Sequence, residues 1–169
     1  MSRRGHFHHL VRRFFSAVGA RVSPAELAVL DEYLSPAERD LFRAMPIADQ
    51  RHSLDLWNRL RRDGYRDPVL LRAALLHDIG KGMGPLPLPC RVLFSLCELA
   101  LPRLARWLAD PSRPHLFRPF YLAMYHAEVG AHAAARAGSN PEVVRLIGGH
   151  DSPGRDERSR LLYHYDGQM

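Results

Sequence analysis

Four proline-opened helix starts punctuate this 169-residue chain and leave little room for any fold but a helical one. Ser23-Pro24-Ala25-Glu26 and Ser35-Pro36-Ala37-Glu38 both read as capping boxes, in which the serine and the glutamate satisfy each other's orphan backbone donors. Proline at the first helical position costs nothing there, because its missing N–H would be unpaired anyway. Asp67-Pro68 and Asn140-Pro141-Glu142 open helices in the same way. No stretch alternates apolar and polar residues for long enough to argue for a strand. The expected fold class is therefore all-α, with helices near 24–34, 36–45, 49–63, 68–79, 90–108, 118–137, 141–149 and 156–166. Gly138 closes the sixth of these.

Two breaks interrupt the series. Residues 82–89 hold two glycines and three prolines, and a second proline-rich stretch runs over residues 110–119; both must be loops. They isolate the helix at 90–108, whose Val92, Leu93, Leu96, Leu99, Ala100 and Leu104 suit a buried or lid-like stripe. Both loops could border a substrate pocket. The length fits one domain with a substantial core, and no repeat or low-complexity tract divides it.

Composition excludes several classes. With 46% apolar and 25% charged residues the chain is ordinary for a globular protein. Cys90 and Cys97 are too few, and wrongly spaced, for a disulfide scaffold or a C-x-x-C site. The best membrane-span candidate, residues 92–109, is interrupted by Glu98, Pro102, Arg103 and Arg106. The segment 14–20 is too short and mixed for a signal-peptide core, so the expected location is cytoplasmic. The formal charge of +6 and pI near 9.9 come from arginines spread along the chain. They suit a small anionic substrate better than nucleic acid. All but one of the 24 basic residues are arginine; the single lysine is Lys81.

That lysine stands beside the most informative dipeptide of the chain. His77-Asp78 ends the apolar run at 70–76 and is followed at once by Ile79-Gly80-Lys81-Gly82. An imidazole and a carboxylate side by side where a helix breaks can lean toward one divalent ion, and this donor pair suits Mn, Fe, Zn or Co. Further His and Asp residues stand at wide intervals: His52, His126, His150, Asp151 and Asp166. The set reads as a metal site assembled from several helices.

Arg51-His52-Ser53, then Ala73-Ala74-Leu75-Leu76-His77-Asp78-Ile79-Gly80-Lys81, then a late Asp166, resemble the HD superfamily of metal-dependent phosphohydrolases. The resemblance covers roughly residues 49–169 and leaves residues 1–46 as an N-terminal helical extension of a 47–169 HD-type bundle. Tyr125-His126-Ala127-Glu128-Val129-Gly130-Ala131 is similar to an H-P-x-x-G-A segment of that superfamily, with Ala127 in place of proline. Leu146-Ile147-Gly148-Gly149-His150-Asp151 is similar to its I-x-x-H segment. The resemblance implies His52, His77, Asp78 and Asp166 around one ion. It implies His126 and His150 around a second, with Asp78 as the bridge.

One or two divalent ions (Mn, Fe, Co, Ni, Zn or Mg) are thus the expected cofactors. Lys81 and Arg51 are candidates for contact with a substrate phosphate. Asp151 is a candidate either to orient His150 or to position water, and Asp78, Lys81 and Asp151 form the candidate catalytic set. His164 competes with Asp166 for the last position. His132 lies about 240° round the helix from His126 and cannot share its face. His6, His8, His9 and His115 have no evident partner.

The activity implied is hydrolysis of a phosphate ester or pyrophosphate, with a nucleotide or nucleotide second messenger as the substrate class. Two alternatives stand beside it: a ligand-binding regulatory module that keeps the fold but tends to lose several metal residues, and a di-iron oxygenase of HD type, which needs the same ligands.

Overall fold

A computed structural model describes residues 19–168. Among these residues there are nine α-helices and no strand. They are α1 (Pro24–Tyr33), α2 (Pro36–Ala44), α3 (Ile47–Arg62), α4 (Pro68–Leu76), α5 (Leu88–Ala100), α6 (Pro102–Leu108), α7 (Arg118–Arg136), α8 (Pro141–Gly148) and α9 (Glu157–Asp166). Both capping boxes form, with Glu26 and Glu38 reaching back to the backbone N–H of Ser23 and Ser35 at 2.9 and 2.8 Å. Asp67, Asn140 and Asp156 cap α4, α8 and α9 through their side chains.

Three local departures from the expected helices have physical causes. The expected helix at 68–79 ends as α-helix at Leu76 and tightens into a 3₁₀ turn at Ile79–Gly82, a common way to end a helix. The expected helix at 90–108 is two helices, because Pro102 cannot donate into the preceding turn and Leu101 leaves helical geometry (φ −136°, ψ 62°). Inside α7, Tyr125 is non-helical (φ −115°, ψ 21°), which puts a kink one residue before His126.

The centre of the molecule is α4. Six of its nine residues, Leu70, Leu71, Ala73, Ala74, Leu75 and Leu76, are buried, as a helix apolar on nearly all sides must be. It packs against α3 and α8, and the shared core takes in Phe42, Leu54, Leu60, Val143, Ile147 and Leu162. Leu30 and Leu34, from the segment expected as an extension, sit in this same core, as do Phe42 and Met45. Packing therefore shows no gap at residue 46; residues 1–18, including His6, His8 and His9, lie outside the described residues. A second, smaller apolar cluster of Phe94, Ala105 and Ala109 seats α5 and α6 on α7.

Candidate metal centre

Two glycines decide how the site closes. A β-carbon on Gly80 would lie 1.9 Å from the carbonyl oxygen of His126, and one on Gly130 would lie 3.0 Å from the amide of Gly80. Only glycine at 80 lets α7 cross the turn after His77-Asp78 so closely. On the other side Gly82 lies against Ala44 and Met45, where a β-carbon would stand 2.7 Å from the Ala44 carbonyl. The turn that carries Lys81 is thus wedged between the end of α2 and the middle of α7.

Around that turn the structure gathers residues from five parts of the chain. His52 comes from α3, His77 and Asp78 from the end of α4, His126 from the kink of α7, His150 from just past α8, and Asp166 from the last residue of α9. Three of the imidazoles are oriented in one way. The Nδ1 atoms of His77, His126 and His150 face the carbonyls of Ala74 (2.9 Å), Ala123 (3.2 Å) and Ile147 (2.8 Å). A carbonyl can only accept, so each Nδ1 carries the hydrogen and each Nε2 turns inward as the donor atom. The rings pack edge to face in a row, His52 to His77 to His150 to His126, with centroids 5.2, 5.0 and 5.2 Å apart.

Three sets of donor atoms lie within 4.8 Å of one another: His52, His77 and Asp78; His77, His150 and Asp166; and Asp78, His126 and His150. Asp78 divides its oxygens. Oδ2 stands 3.5 Å from His77 Nε2, while Oδ1 stands 3.6 Å from His126 Nε2 and 3.8 Å from His150 Nε2. Asp166 Oδ1 lies 2.7 Å from His52 Nε2 and 3.6 Å from His77 Nε2.

These residues fit a cation. His77 Nε2 and Asp78 Oδ1 are buried and have no hydrogen-bond partner within the protein, which is costly for polar atoms unless something else satisfies them. Donor pairs sharing one ion at about 2.1 Å stand roughly 3.0–3.5 Å apart. Most of the separations here are close to that and too long for hydrogen bonds. Buried His and Asp clusters of this kind could hold a metal ion.

The charges follow from the crowding. Burial opposes an imidazolium at His77, but the Asp78 and Asp166 carboxylates outweigh it and push His77 up to about 9. Burial and the Lys81 ammonium push His126 down to about 4. Burial and the nearby His77 also lower His150. For Asp78 burial favours the neutral acid, yet Lys81 and the histidines hold it ionised, well below the usual carboxylate range. For Asp166 too, burial favours the neutral acid, but the His52 hydrogen bond and the neighbouring His77 charge hold it ionised.

The remaining candidates fall in different places. Lys81 Nζ lies 2.6 Å from Asp78 Oδ2, inside the cluster. Asp151 is half-exposed, with Oδ1 3.3 Å from His150 Nε2 and 3.7 Å from His126 Nε2. It therefore faces the donor side of those rings, and the Ile147 carbonyl, not Asp151, orients His150. Arg51 is held away from the cluster: its guanidinium pairs with Glu26 and, at 2.8 Å, with Asp55, in a surface hollow that Asn58 and Arg59 also line. The reason is angular, since one residue along a helix is about 100° of rotation. His164 is exposed beside Gln168 and does not reach the cluster, whereas Asp166 does. His132 and His115 are exposed, away from the site.

One residue escaped the sequence reading. Asp49, buried in the first turn of α3, binds the Arg91 guanidinium of α5 through both oxygens. Its Oδ1 also lies 3.8 Å from Lys81 Nζ. Arg91, Asp49, Lys81 and Asp78 thus form a row of alternating charges leading into the cluster. The signal was the spacing Asp49-x-x-His52, which puts both side chains on one helical face.

No protein-family profile, curated protein or solved structure matches this chain.

Proposed function

We propose that this protein is a metal-dependent phosphohydrolase of HD type, acting on a phosphate ester or pyrophosphate of a small molecule, with nucleotides or nucleotide second messengers as the substrate class. The observation that carries the reading is the convergence of His52, His77, Asp78, His126, His150 and Asp166, with inward-facing Nε2 atoms and an unpartnered Asp78 oxygen. Sequence resemblance and spatial convergence are separate observations, because residues 52 and 166 are brought together only by the fold.

His52, His77, Asp78 and Asp166 would hold one divalent ion, and His126 and His150 with the other oxygen of Asp78 a second. Such ions supply Lewis acidity toward a phosphate oxygen and acidify a water molecule at neutral pH. The protein's own contribution is to position and neutralise. Asp78, held ionised, offers one oxygen to each group of histidines. The Lys81 ammonium, fixed between Asp78 and Asp49, meets the charge gathering on the phosphoryl oxygens as a point charge. Asp151, at the exposed rim beside His126 and His150, orients water on the open side and accepts its proton. Arg51 has no place in this scheme, because Glu26 and Asp55 occupy it.

The test is metal analysis of the purified chain, followed by a phosphate-release screen over nucleotides with added Mn, Co, Ni, Fe, Zn and Mg. Bound metal and phosphate release, both abolished by His77→Ala with Asp78→Ala, are the expected result. Equal metal content and turnover in the double variant would overturn the reading. Iron binding with oxygen-dependent colour and no phosphate release would replace hydrolysis by oxygenation.

A further inference from the structure

Six of the eight large hydrophobic side chains that stand exposed among the described residues fall within 24 consecutive positions: Leu93, Leu96, Leu101, Leu104, Trp107 and Leu116. They belong to the α5–α6 hairpin and the turn that follows it. On α5, Leu93, Leu96 and the exposed Ala100 recur at the spacing of a single helical face. On α6, Leu104 and Trp107 stand three residues apart on one face, beside Leu101 at the junction with α5, and Trp107 meets Phe117, the neighbour of Leu116, edge to face at 6.0 Å. The inner face of the hairpin is already used, since Phe94, Ala105 and Ala109 pack on α7. The outer face has no partner among the described residues, and its exposures reach 51% at Leu93, 55% at Leu101 and 80% at Leu116. Apolar surface concentrated in this way marks an interaction site more often than scattered leucines do.

The charges among these residues indicate what covers it. Arg103, Arg106, Arg113 and Arg118 lie within or beside the apolar set, against only Glu98 and Asp110. The Arg113 guanidinium lies over the Trp107 ring, 3.9 Å from its centroid. We propose that the α5–α6 hairpin docks on an anionic lipid surface, with leucines and Trp107 entering the headgroup boundary and arginines pairing with lipid phosphates. Leucine, tryptophan and arginine on short amphipathic helices form the composition that binds such interfaces without spanning them. Two other occupants suit the rim less well. A second copy meeting the same face by two-fold symmetry would bring like arginines together. Residues 1–18 carry four arginines and no carboxylate, so they too match an anionic surface rather than this one. The proposal is independent of what the metal centre hydrolyses.

The test uses the full chain with vesicles of phosphatidylcholine, alone or mixed with phosphatidylglycerol. In a Trp57→Phe background, Trp107 is the one remaining tryptophan and reports directly on the hairpin. Co-sedimentation with the mixed vesicles and a blue shift of Trp107 emission are expected, both weakened by salt. Each of Arg103→Gln, Arg106→Gln and Arg118→Gln should weaken binding about fivefold, and Leu96→Gln with Leu104→Gln should abolish it while metal content stays unchanged. Absence of binding to the mixed vesicles, or equal binding to pure phosphatidylcholine, would overturn the proposal. So would a dimer in light scattering that Leu104→Gln converts to monomer, because the face would then be covered by its own copy.

Discussion

The carbonyl oxygen of His126 stands where a β-carbon of residue 80 would be, 1.9 Å from that position on Gly80. The carbonyl is backbone and a β-carbon is fixed by its own backbone, so neither can rotate away, and α7 must shift to admit any side chain. That shift moves His126 relative to Asp78, the contact on which the second donor group depends. Gly80→Ala should therefore lower stability by about 1–3 kcal/mol, the usual range for overpacking, and weaken metal binding beyond what unfolding explains. Urea unfolding and metal titration on the same preparation separate the two effects. Wild-type values in both would show that α7 yields freely.

A divalent ion held by the cluster would compete with a proton for His77 Nε2. The Asp78 and Asp166 carboxylates push His77 up to about 9, so at neutral pH it carries a proton that a metal must displace. His126, held down near 4, and His150, also lowered, have none to give. Metal binding should release about one proton per chain at neutral pH, and affinity should rise as pH approaches 9. Calorimetry in buffers of different ionisation enthalpy measures the release; a pH-independent affinity over that range would contradict it. The sign for stability is opposite in the ion-free protein. His77 contributes stability fully present below its ordinary 6.5 and lost as pH rises through 9.

How far the sequence disclosed this site depends on how local each signal is. His77-Asp78 is readable because the dipeptide, the apolar helix before it and the glycines after it are contiguous. Choosing between Asp166 and His164 is not, because two residues on a helix point about 200° apart and only docking selects one. Docking comes from Leu162 in the core and from the Tyr165 hydroxyl bonding Asp63 Oδ2 at 2.7 Å. Arg51 shows the same limit, its direction being set by Glu26, 25 residues away. The Asp49–Arg91 pair spans 42 residues and a proline-rich loop, and no local pattern encodes it. The helices themselves were legible because caps and prolines act within one turn. The kink at Tyr125, which aims His126, left no such mark.

Lys81 sits on the same Asp78 oxygen that faces His77, 2.6 Å from Oδ2. As a fixed cation it repels a metal there, while in the proposed reaction it meets the substrate phosphate. Lys81→Met should therefore tighten metal binding while phosphate turnover falls about 100-fold, the usual loss for one charge-stabilising donor. Competition against a chromophoric chelator reads the first effect and phosphate release the second. Weaker metal binding in the variant would mean that the ammonium supports the site rather than competing for it.

Asp49 is the shared carboxylate of Arg91 and Lys81, and it is buried. Asp49→Asn would leave Arg91 partly buried without its counter-charge, at a cost of about 3 kcal/mol in unfolding free energy. Replacing both partners, Asp49→Leu with Arg91→Met, should recover most of that stability, because the penalty lies in the orphaned charge. In the proposed reaction it should not recover turnover, since Lys81 would still lack its second partner. Urea unfolding of the two variants decides the matter. If the double variant is as unstable as Asp49→Asn, the pair does more than neutralise itself.

Asp78 lies in two of the three donor sets, with His52 and His77 and with His126 and His150, whereas His52, His126 and Asp166 lie in one each. Ion stoichiometry should follow that asymmetry. His126→Ala leaves the set of His52, His77, Asp78 and Asp166 intact and should retain one ion per chain. In the proposed two-ion arrangement Asp166→Asn removes a donor from that set alone, so an ion near His126 and His150 should persist. Asp78→Asn takes charge from both groups and should lose all bound metal, because carboxylate charge offsets the repulsion between two close cations. Metal counts on chelator-stripped and reloaded protein test the ordering. Loss of every ion in His126→Ala, or retention of two in Asp78→Asn, would show that the two groups do not share Asp78.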